Sequence, residues 1–244
     1  MKIRDFCGNG INCPALRRRE NGRLIVSGPN VTDPEVLREL ALPEHEGAIE
    51  VPPEMFSGYE LTLLDIDGLA DFIGRRHTRD LFRLETLSYY DVASDGDDYH
   101  RYLQGEADPN AEAKQPWLDR LQADIAAGRR WRRVHALTTP LSDYLRYECE
   151  WAYTFNVVGG EDVRIIDDAS EAFLGVGDFF VIDGEHVIRS HYDQGGRFLG
   201  AEVVTEISAK APCIAFAELI WRTAQPFTDW WKRHPEYHRA GRAA

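Results

Sequence analysis

The chain has 244 residues, 41 acidic and 28 basic side chains, and a formal net charge of −13 with histidine taken as neutral. This acidic balance argues against direct nucleic-acid binding, which needs a basic face that releases counterions from phosphates. No apolar run approaches the about eighteen residues of a membrane span, and the N-terminus lacks the apolar segment of a secretory signal, so the sequence predicts a cytoplasmic protein without membrane contact.

The residues before Ser57 predict a small separate module, residues 1–58. Residues 22–28 form a short apolar run between glycines and predict a strand. Residues 32–42 predict a helix that a Thr or Asp caps and that has a proline in its first turn. Residues 47–52 predict a second strand, closed by a Pro-Pro pair. A strand–helix–strand unit is therefore expected here.

Residues 59–244 predict the main domain. Periodic apolar spacing predicts helices over 65–75, 97–105 and 115–130, one from 139, and one ending near 224. Strands are predicted over 80–90, 131–137 and 161–167. Turn residues then separate three more strands, over 178–183, 186–193 and 197–206. The last three predict an antiparallel meander. The fold class is therefore α+β, an antiparallel or mixed sheet flanked by helices.

The segment TPLSDYLRYECEWA, residues 139–152, predicts a helix with Thr139 as N-cap and Pro140 in the first position. At about 100° per residue, Glu148 falls in the middle of one apolar face. That face also contains Leu141, Tyr144, Leu145 and Ala152. A carboxylate there must be paired, protonated or beside a cavity, because burying it alone is costly. Arg83 or Arg133 is the expected partner, and an ion pair and a pocket wall both remain open.

Recognisable catalytic and phosphate-binding motifs are absent from the sequence. It contains no glycine-rich phosphate loop, no G-x-S-x-G elbow and no H-E-x-x-H motif. Cys7 and Cys13 are candidate zinc ligands, but their C-x5-C spacing is wider than in common zinc knuckles, and no second pair lies nearby. His186 and His191, five residues apart in one strand, point to opposite faces and cannot share a metal without a bulge. No cofactor is predicted.

Polar residues on candidate core strands indicate where a site could form. Arg83 and Glu85 share one strand face, Arg133 and His135 share another, and these faces could meet Glu148. The predicted ligand-binding residues are Arg83, Glu85, Arg133, Tyr144, Glu148 and His191. For an enzyme, the candidate acid–base residues are Glu148, Glu85, Asp183 and His191, with Arg83, Arg133 and the outward-pointing Arg146 as anion clamps. The alternative is a set of satisfied ion pairs, with Asp183 serving a turn.

Several stretches resemble a known family. FRLET, RRVHALTTPLSDYLRYE, GGEDVRI and DFFVIDGEHVIRSHYDQGGRFLGAEVV resemble an actinobacterial family of domains of unknown function, over roughly residues 65–235. Members of that family are typically encoded near helix-turn-helix regulators of the XRE type. Residues 12–56 resemble a short actinobacterial protein often encoded beside it, so the chain resembles a fusion of the two. The closing strands are also similar to non-catalytic phospholipase-D-like regulatory domains, which implies a role in sensing or partner contact.

Two functions follow as expectations. The first is a non-enzymatic regulatory or ligand-sensing protein that acts with a helix-turn-helix partner and binds a small molecule. Its acidic surface would complement a basic DNA-binding partner. The alternative is an enzyme of unrecognised type, in natural-product biosynthesis for example, that uses a polar pocket around Glu148. An open cleft at Glu148 would favour the enzyme, and a closed ion-pair network would favour the regulatory protein.

Overall fold

The chain divides into two compact units, residues 1–62 and 63–244. The computed structural model describes residues 2–5, 15–18, 24–40, 47–51, 63–91, 97–167 and 176–239. Cys7 and Cys13 lie outside the described residues, so the zinc prediction is not addressed by the structure. The sequence-based boundary at residue 58 likewise remains a prediction.

The N-terminal unit contains an antiparallel three-stranded sheet in the order β1-β2-β3. Its elements are β1 (Lys2–Asp5), β2 (Ala15–Arg18), β3 (Leu24–Ser27) and the helix α1 (Pro34–Leu40). The carboxylate of Asp33 accepts the Glu35 N–H at 2.8 Å, as expected for a residue just before a helix. At the predicted second strand, residues 47–51 form one isolated bridge, from Ile49 to Asn30, rather than a continuous strand.

The main unit is α+β, with a mixed sheet flanked by helices, as predicted. Its helices are α2 (Ile66–Arg76), α3 (Asp98–Leu103), α4 (Ala111–Ala126), α5 (Asp143–Tyr147), α6 (Thr154–Gly159), α7 (Ile207–Thr223) and α8 (Phe227–Arg233). Its strands are β4 (Asp80–Glu85), β5 (Arg130–Ala136), β6 (Asp162–Ile166), β7 (Phe179–Ile182), β8 (His186–Tyr192), β9 (Phe198–Val204) and β10 (Gln225–Pro226). None of the helices in the described parts of the chain combines the length and apolar character needed to cross a bilayer.

The sheet has seven strands in the order β10-β6-β5-β4-β7-β8-β9. β4, β5 and β6 run parallel to their neighbours in this group, and β7, β8 and β9 form the predicted antiparallel meander. β4 and β5 pair so that Arg83 lies beside Arg133 and Glu85 beside His135. Because side chains alternate between faces, these four residues share one face of the sheet.

The two faces of this sheet are packed differently. The α7 face carries Phe82, Leu84 and Val134, which are buried against Ala217 and Ile220 of α7. We call the opposite face the cavity face, because it carries Arg83, Arg133 and their neighbours. At one end of the cavity face, helices α2 and α4 cover the sheet through an apolar cluster made of Leu69, Ile73, Leu121, Trp131, Phe180 and Ile182.

The helix that carries Glu148 starts later than the sequence predicts. The N-cap is Ser142 rather than Thr139: its Oγ accepts the Leu145 N–H at 3.1 Å and donates to the Ser88 carbonyl at 2.7 Å. Pro140 precedes the helix, and the Thr139–Pro140 peptide is cis. A π-helical segment, Glu148–Tyr153, joins α5 to α6, so the helix continues to Gly159. The wider π turn in the middle sets which residues face the sheet.

Candidate functional site

A cavity of about 390 Å³ lies between the cavity face of the sheet and the helices α2, α4 and α5–α6. The strands supply charged residues, the helices supply apolar and carboxylate groups, and β8 and β9 close one side. Its lining is Ile66, Leu69, Arg83, Glu85, Tyr90, Ala113, Lys114, Trp117, Arg133, Tyr144, Glu148, Ala152, Asn156, Phe180, Ser190, Tyr192 and Phe198. The sequence thus folds five of the six predicted ligand-binding residues into one wall.

Glu85 is the centre of a buried ion network in this wall. Its carboxylate accepts from Arg133 Nη1 at 3.0 and 3.1 Å and lies 2.8 Å from Arg83 Nη2. Burial alone would raise the pKa of Glu85, but the guanidinium groups of Arg133 and Arg83 lower it to about 2. Glu85 is therefore ionised at neutral pH and cannot act as a general acid there.

Arg133 connects this centre to a second carboxylate. Its Nε donates to Glu161 Oε1 at 2.9 Å, and Glu161 is almost completely buried. Burial lowers the pKa of Arg133, but Glu161, Glu85, Tyr153 and Glu148 together raise it well above its usual range. Arg133 is therefore a permanent cation held among acidic and phenolic groups.

His135 lies beside Glu85 on the cavity face of the sheet and is neutral at neutral pH. Its Nε2 is 2.9 Å from the Leu87 carbonyl, which can only accept, so Nε2 carries the proton. Burial lowers the pKa of His135, and burial also raises the pKa of the Tyr153 phenol well above its usual range. The Tyr153 hydroxyl donates to Glu85 Oε2 at 3.1 Å and lies within hydrogen-bond distance of His135 Nδ1.

Glu85, His135 and Glu148 offer ligand atoms within 4.8 Å of one another, a spacing that a metal ion could bridge. These donors are already engaged, however. Arg133 and Arg83 neutralise Glu85, and both nitrogens of His135 have hydrogen-bond partners. A cation would have to displace an arginine from Glu85, so this arrangement does not fit a resident metal.

Aromatic rings form much of the remaining wall. The Tyr90 hydroxyl donates to Asp178 Oδ2 at 2.6 Å, which fixes its ring at the cavity. The Tyr144 ring packs edge-on against Tyr89 and Tyr99, with ring centres 4.9 and 5.3 Å apart. These contacts hold each ring in one orientation, so the cavity is preformed.

The π-helical segment explains a residue that the sequence does not predict. Glu148 and Tyr153 are five residues apart, which on a regular α-helix separates them by about 140°. In a π turn, residues i and i+5 are bonded neighbours. Both side chains consequently reach Glu85. If α-helical spacing is assumed, only Glu148 is predicted to face the sheet. The sequence contains no clear pattern that would indicate the π turn.

Asp183 and His191 are not brought into this cavity. Asp183, with a positive φ of 54°, accepts the N–H groups of Thr78, Arg79 and Asp80 at 2.8–3.1 Å. Burial raises the pKa of Asp183, and these bonds, together with the Thr78 hydroxyl, lower it to about 2. The geometry is that of a turn residue.

His191 faces the opposite side of β8 from Ser190 and Tyr192, which line the cavity. Its Nε2 lies 3.5 Å from Glu202 on β9, and its side chain is 39% exposed. Arg146, the third predicted anion clamp, lies over the Tyr237 ring with 5.7 Å between its guanidinium carbon and the ring centre. Neither side chain is part of the cavity lining.

Comparison with known proteins gives one finding. Residues 67–232 match a family described as a domain of unknown function, DUF6879. The match covers well over half of the chain and includes every charged residue of the cavity lining. The chain belongs to this family. A search of curated proteins finds no match.

Proposed function

From this membership we propose that the chain is a ligand-sensing protein that binds a small organic molecule in the cavity of its DUF6879 domain. The observation that carries the proposal is the cavity of about 390 Å³, whose wall holds Arg83, Glu85, Arg133 and Glu148. Binding sites for small molecules have volumes of about 300–1000 Å³ and combine an apolar lining with a few placed polar groups.

The buried charges support this proposal. Burying an ion pair contributes little net stability, because desolvation offsets most of the attraction, and apolar residues of similar size would often stabilise the fold as well or better. Here the buried residues Arg133, Glu85 and Glu161 and the half-buried Arg83 form one connected network beside open space. Charged groups in such a place are typical of recognition sites.

The supporting contacts of the wall also favour binding. Arg83, Glu85 and Arg133 lie on paired central strands, and the Trp117 indole donates to Asn156 Oδ1 at 3.0 Å across the helices. A wall fixed in this way loses little conformational entropy when a ligand binds. The site is therefore ready for a ligand without a large rearrangement.

The regulatory part of the proposal rests on the sequence resemblance to domains encoded near XRE-type helix-turn-helix regulators. A formal charge of −13 suits contact with the basic surface of a DNA-binding partner. We propose that ligand occupancy alters this contact. Adding the purified chain to such a regulator should change the affinity of that regulator for its operator, and a ligand-dependent change is the expected result.

An enzyme remains the second candidate, because Glu148 and Glu85 line the same open cavity. The arginines keep Glu85 ionised, with a pKa of about 2. Glu148 is then the candidate for proton transfer to a bound substrate. If the protein turns over a substrate, Glu148→Gln should abolish turnover while the melting temperature stays near that of the wild type.

The binding proposal is tested by blocking the cavity from its rim. Ala113 is exposed and lines the cavity, so Ala113→Trp should fill the entrance without disturbing the core. Ala123→Trp on the exposed face of the same helix is the matched control. Native mass spectrometry of the protein from its own host, with a thermal-shift screen of small molecules, should show ligands that bind wild type and Ala123→Trp but not Ala113→Trp. If no compound shows this pattern, the proposal fails.

A further inference from the structure

A second compartment of about 200 Å³ opens beside the cavity, between α2, α4 and the sheet. The two spaces share Arg83, Arg133, Trp117 and Phe180 in their linings. The second compartment adds the ring of Trp131 and the carboxylate of Glu161. A ligand that fills the cavity can therefore extend one group towards Glu161.

Glu161, which lines this compartment, has an unused acceptor atom. Its side chain is 3% exposed, and its Oε1 accepts from Arg133 Nε at 2.9 Å. Its Oε2 is buried and has no hydrogen-bond partner among the described residues. A buried carboxylate oxygen without a donor is costly, so this atom favours a ligand group that can donate a hydrogen bond.

The charges of the network also favour a positively charged ligand group. Arg83 and Arg133 are balanced by Glu85 and Glu161, to which they are bonded. Glu148 adds a third carboxylate to the same wall, while burial keeps His135 neutral. A wall with this many carboxylates suits a positively charged ligand group better than an anion.

The other basic residues of the two linings are engaged elsewhere. Lys114 lies 3.3 Å from Asp98, and Arg132 donates to Asp80 at 2.9 Å, so each has its own carboxylate. Arg120 is exposed. Its charge is therefore screened by water rather than directed at the buried carboxylates.

Aromatic rings around the second compartment suit a cation as well. Trp117 and Trp131 pack edge-to-face with ring centres 5.2 Å apart, and Phe180 lies beside them in the lining. Ring faces attract positively charged groups, most strongly in places shielded from water.

We propose that the ligand is an organic cation whose protonated nitrogen, an amine or amidine, enters the second compartment and donates to Glu161 Oε2. Its apolar or aromatic body then occupies the larger cavity. This inference rests on the proposed function and adds the chemical class of the ligand and the residue that selects it. Glu161 is a specificity residue in this arrangement, and no bond is made or broken.

Three probes of similar shape and different charge test the inference: 2-phenylethylamine, 2-phenylethanol and 3-phenylpropanoate. Their affinities for the full chain are measured by ligand-observed NMR titration at one ionic strength. The amine should bind at least tenfold more tightly than the alcohol, and the carboxylate should bind most weakly. A carboxylate that binds more tightly than the amine would overturn the inference.

Glu161→Gln isolates the role of the unused oxygen. The glutamine carbonyl can still accept from Arg133, while its amide presents a donor in place of Oε2. Affinity for the amine should fall at least tenfold, and affinity for the alcohol should stay within twofold. Glu185→Gln, at an exposed turn residue, is the control and should leave all affinities unchanged. An unchanged preference for the amine in Glu161→Gln would mean that Oε2 holds only a water molecule, and the inference would be wrong.

The outcomes separate this inference from the proposed function. If all three probes bind equally and Ala113→Trp abolishes their binding, the cavity binds ligands but does not select a cation. If none of the probes binds wild type and the ligand screen finds no compound that Ala113→Trp excludes, both fail. The comparison of amine with alcohol in the wild type decides the inference even if Glu161→Gln does not fold.

Discussion

Neighbouring residues on the same strands build two very different interiors. On the α7 face, Phe82, Leu84 and Val134 are fully buried against an apolar helix. On the cavity face, the intervening residues Arg83 and Arg133 belong to an ion network beside open space. Because side chains alternate along a strand, one sheet can hold a dry core on one side and a polar cavity on the other. The first face stabilises the fold, which lets the second accommodate buried charge.

The largest effect is expected from Arg133→Met. The change removes the cation that neutralises Glu85 and Glu161 and leaves two buried carboxylates with reduced compensation. The free energy of unfolding should fall by about 4–5 kcal/mol, as for other broken buried ion pairs. Urea denaturation measures it.

Arg132→Met is the matched change one residue away. Arg132 pairs with Asp80 and with the half-exposed Glu218 on the other face of the strand. After the change Asp80 keeps a second partner, Arg130 at 3.2 Å, and water can solvate Glu218, so the loss should be only about 1–2 kcal/mol. Equal losses in the two variants would contradict the difference between the faces.

A second comparison uses two phenylalanines, one from each face. Phe82 is fully buried, so Phe82→Ala should cost about 3–4 kcal/mol through a new cavity in the dry core. Because Phe180 borders the existing cavity, Phe180→Ala should lower the free energy of unfolding by only roughly 2 kcal/mol. Thermal or urea unfolding checks both, and a larger loss for Phe180→Ala would show that the cavity face is the better packed one.

The third prediction concerns pH. Burial lowers the pKa of His135 below its usual 6.5, so the unfolded chain binds a proton that the folded chain refuses. Stability should therefore fall as pH decreases below about 6.5, by up to about 1.4 kcal/mol per pH unit from this residue. His135→Gln should flatten this part of the stability profile.

Burial also lowers the pKa of His77, so this residue too reduces stability as the pH falls. The variant His77→Gln therefore shows the same effect at a second position. Unfolding measured between pH 5 and 7 in the wild type and both variants separates the two contributions. A slope that His135→Gln leaves unchanged would mean that this histidine is protonated in the folded protein.

The smallest effect is expected at His191, which the sequence places among the site residues. Its side chain is partly exposed and contacts Glu202 on the face opposite the cavity. His191→Ala should change the free energy of unfolding by no more than about 0.5 kcal/mol. Ligand affinity should not change either. A loss of ligand binding would place His191 in the site after all.

Much of the fold was accessible from the sequence. Apolar or alternating runs bounded by turn residues mark the strand at Arg83, the strand at Arg133 and the three strands of the meander, so pattern and structure agree. The parallel pairing of β4 with β5 could not be predicted, because pairing of distant strands depends on the whole set of packing contacts. The N-cap at Ser142 was missed because Thr139 and Pro140 give an equally good local signal.

The site residues also differ in whether the sequence reveals them. Arg83, Glu85, Arg133 and Glu148 were accessible because a charged residue at an apolar position is conspicuous. Glu161 was not, since it follows a helix end and precedes a strand, where a glutamate is ordinary. Its importance comes from an oxygen that the fold buries without a donor, and no local pattern records that.

Because of the π-helical segment Glu148–Tyr153, the number of residues in this helix indicates whether the site can form. A π turn accommodates one residue more than the α-helical turn that it replaces. A relative that lacks a single residue in this helix would therefore form a regular helix and turn Tyr153 away from Glu85 and His135. One gap in an alignment of this helix would separate family members that share the site from those that share only the fold.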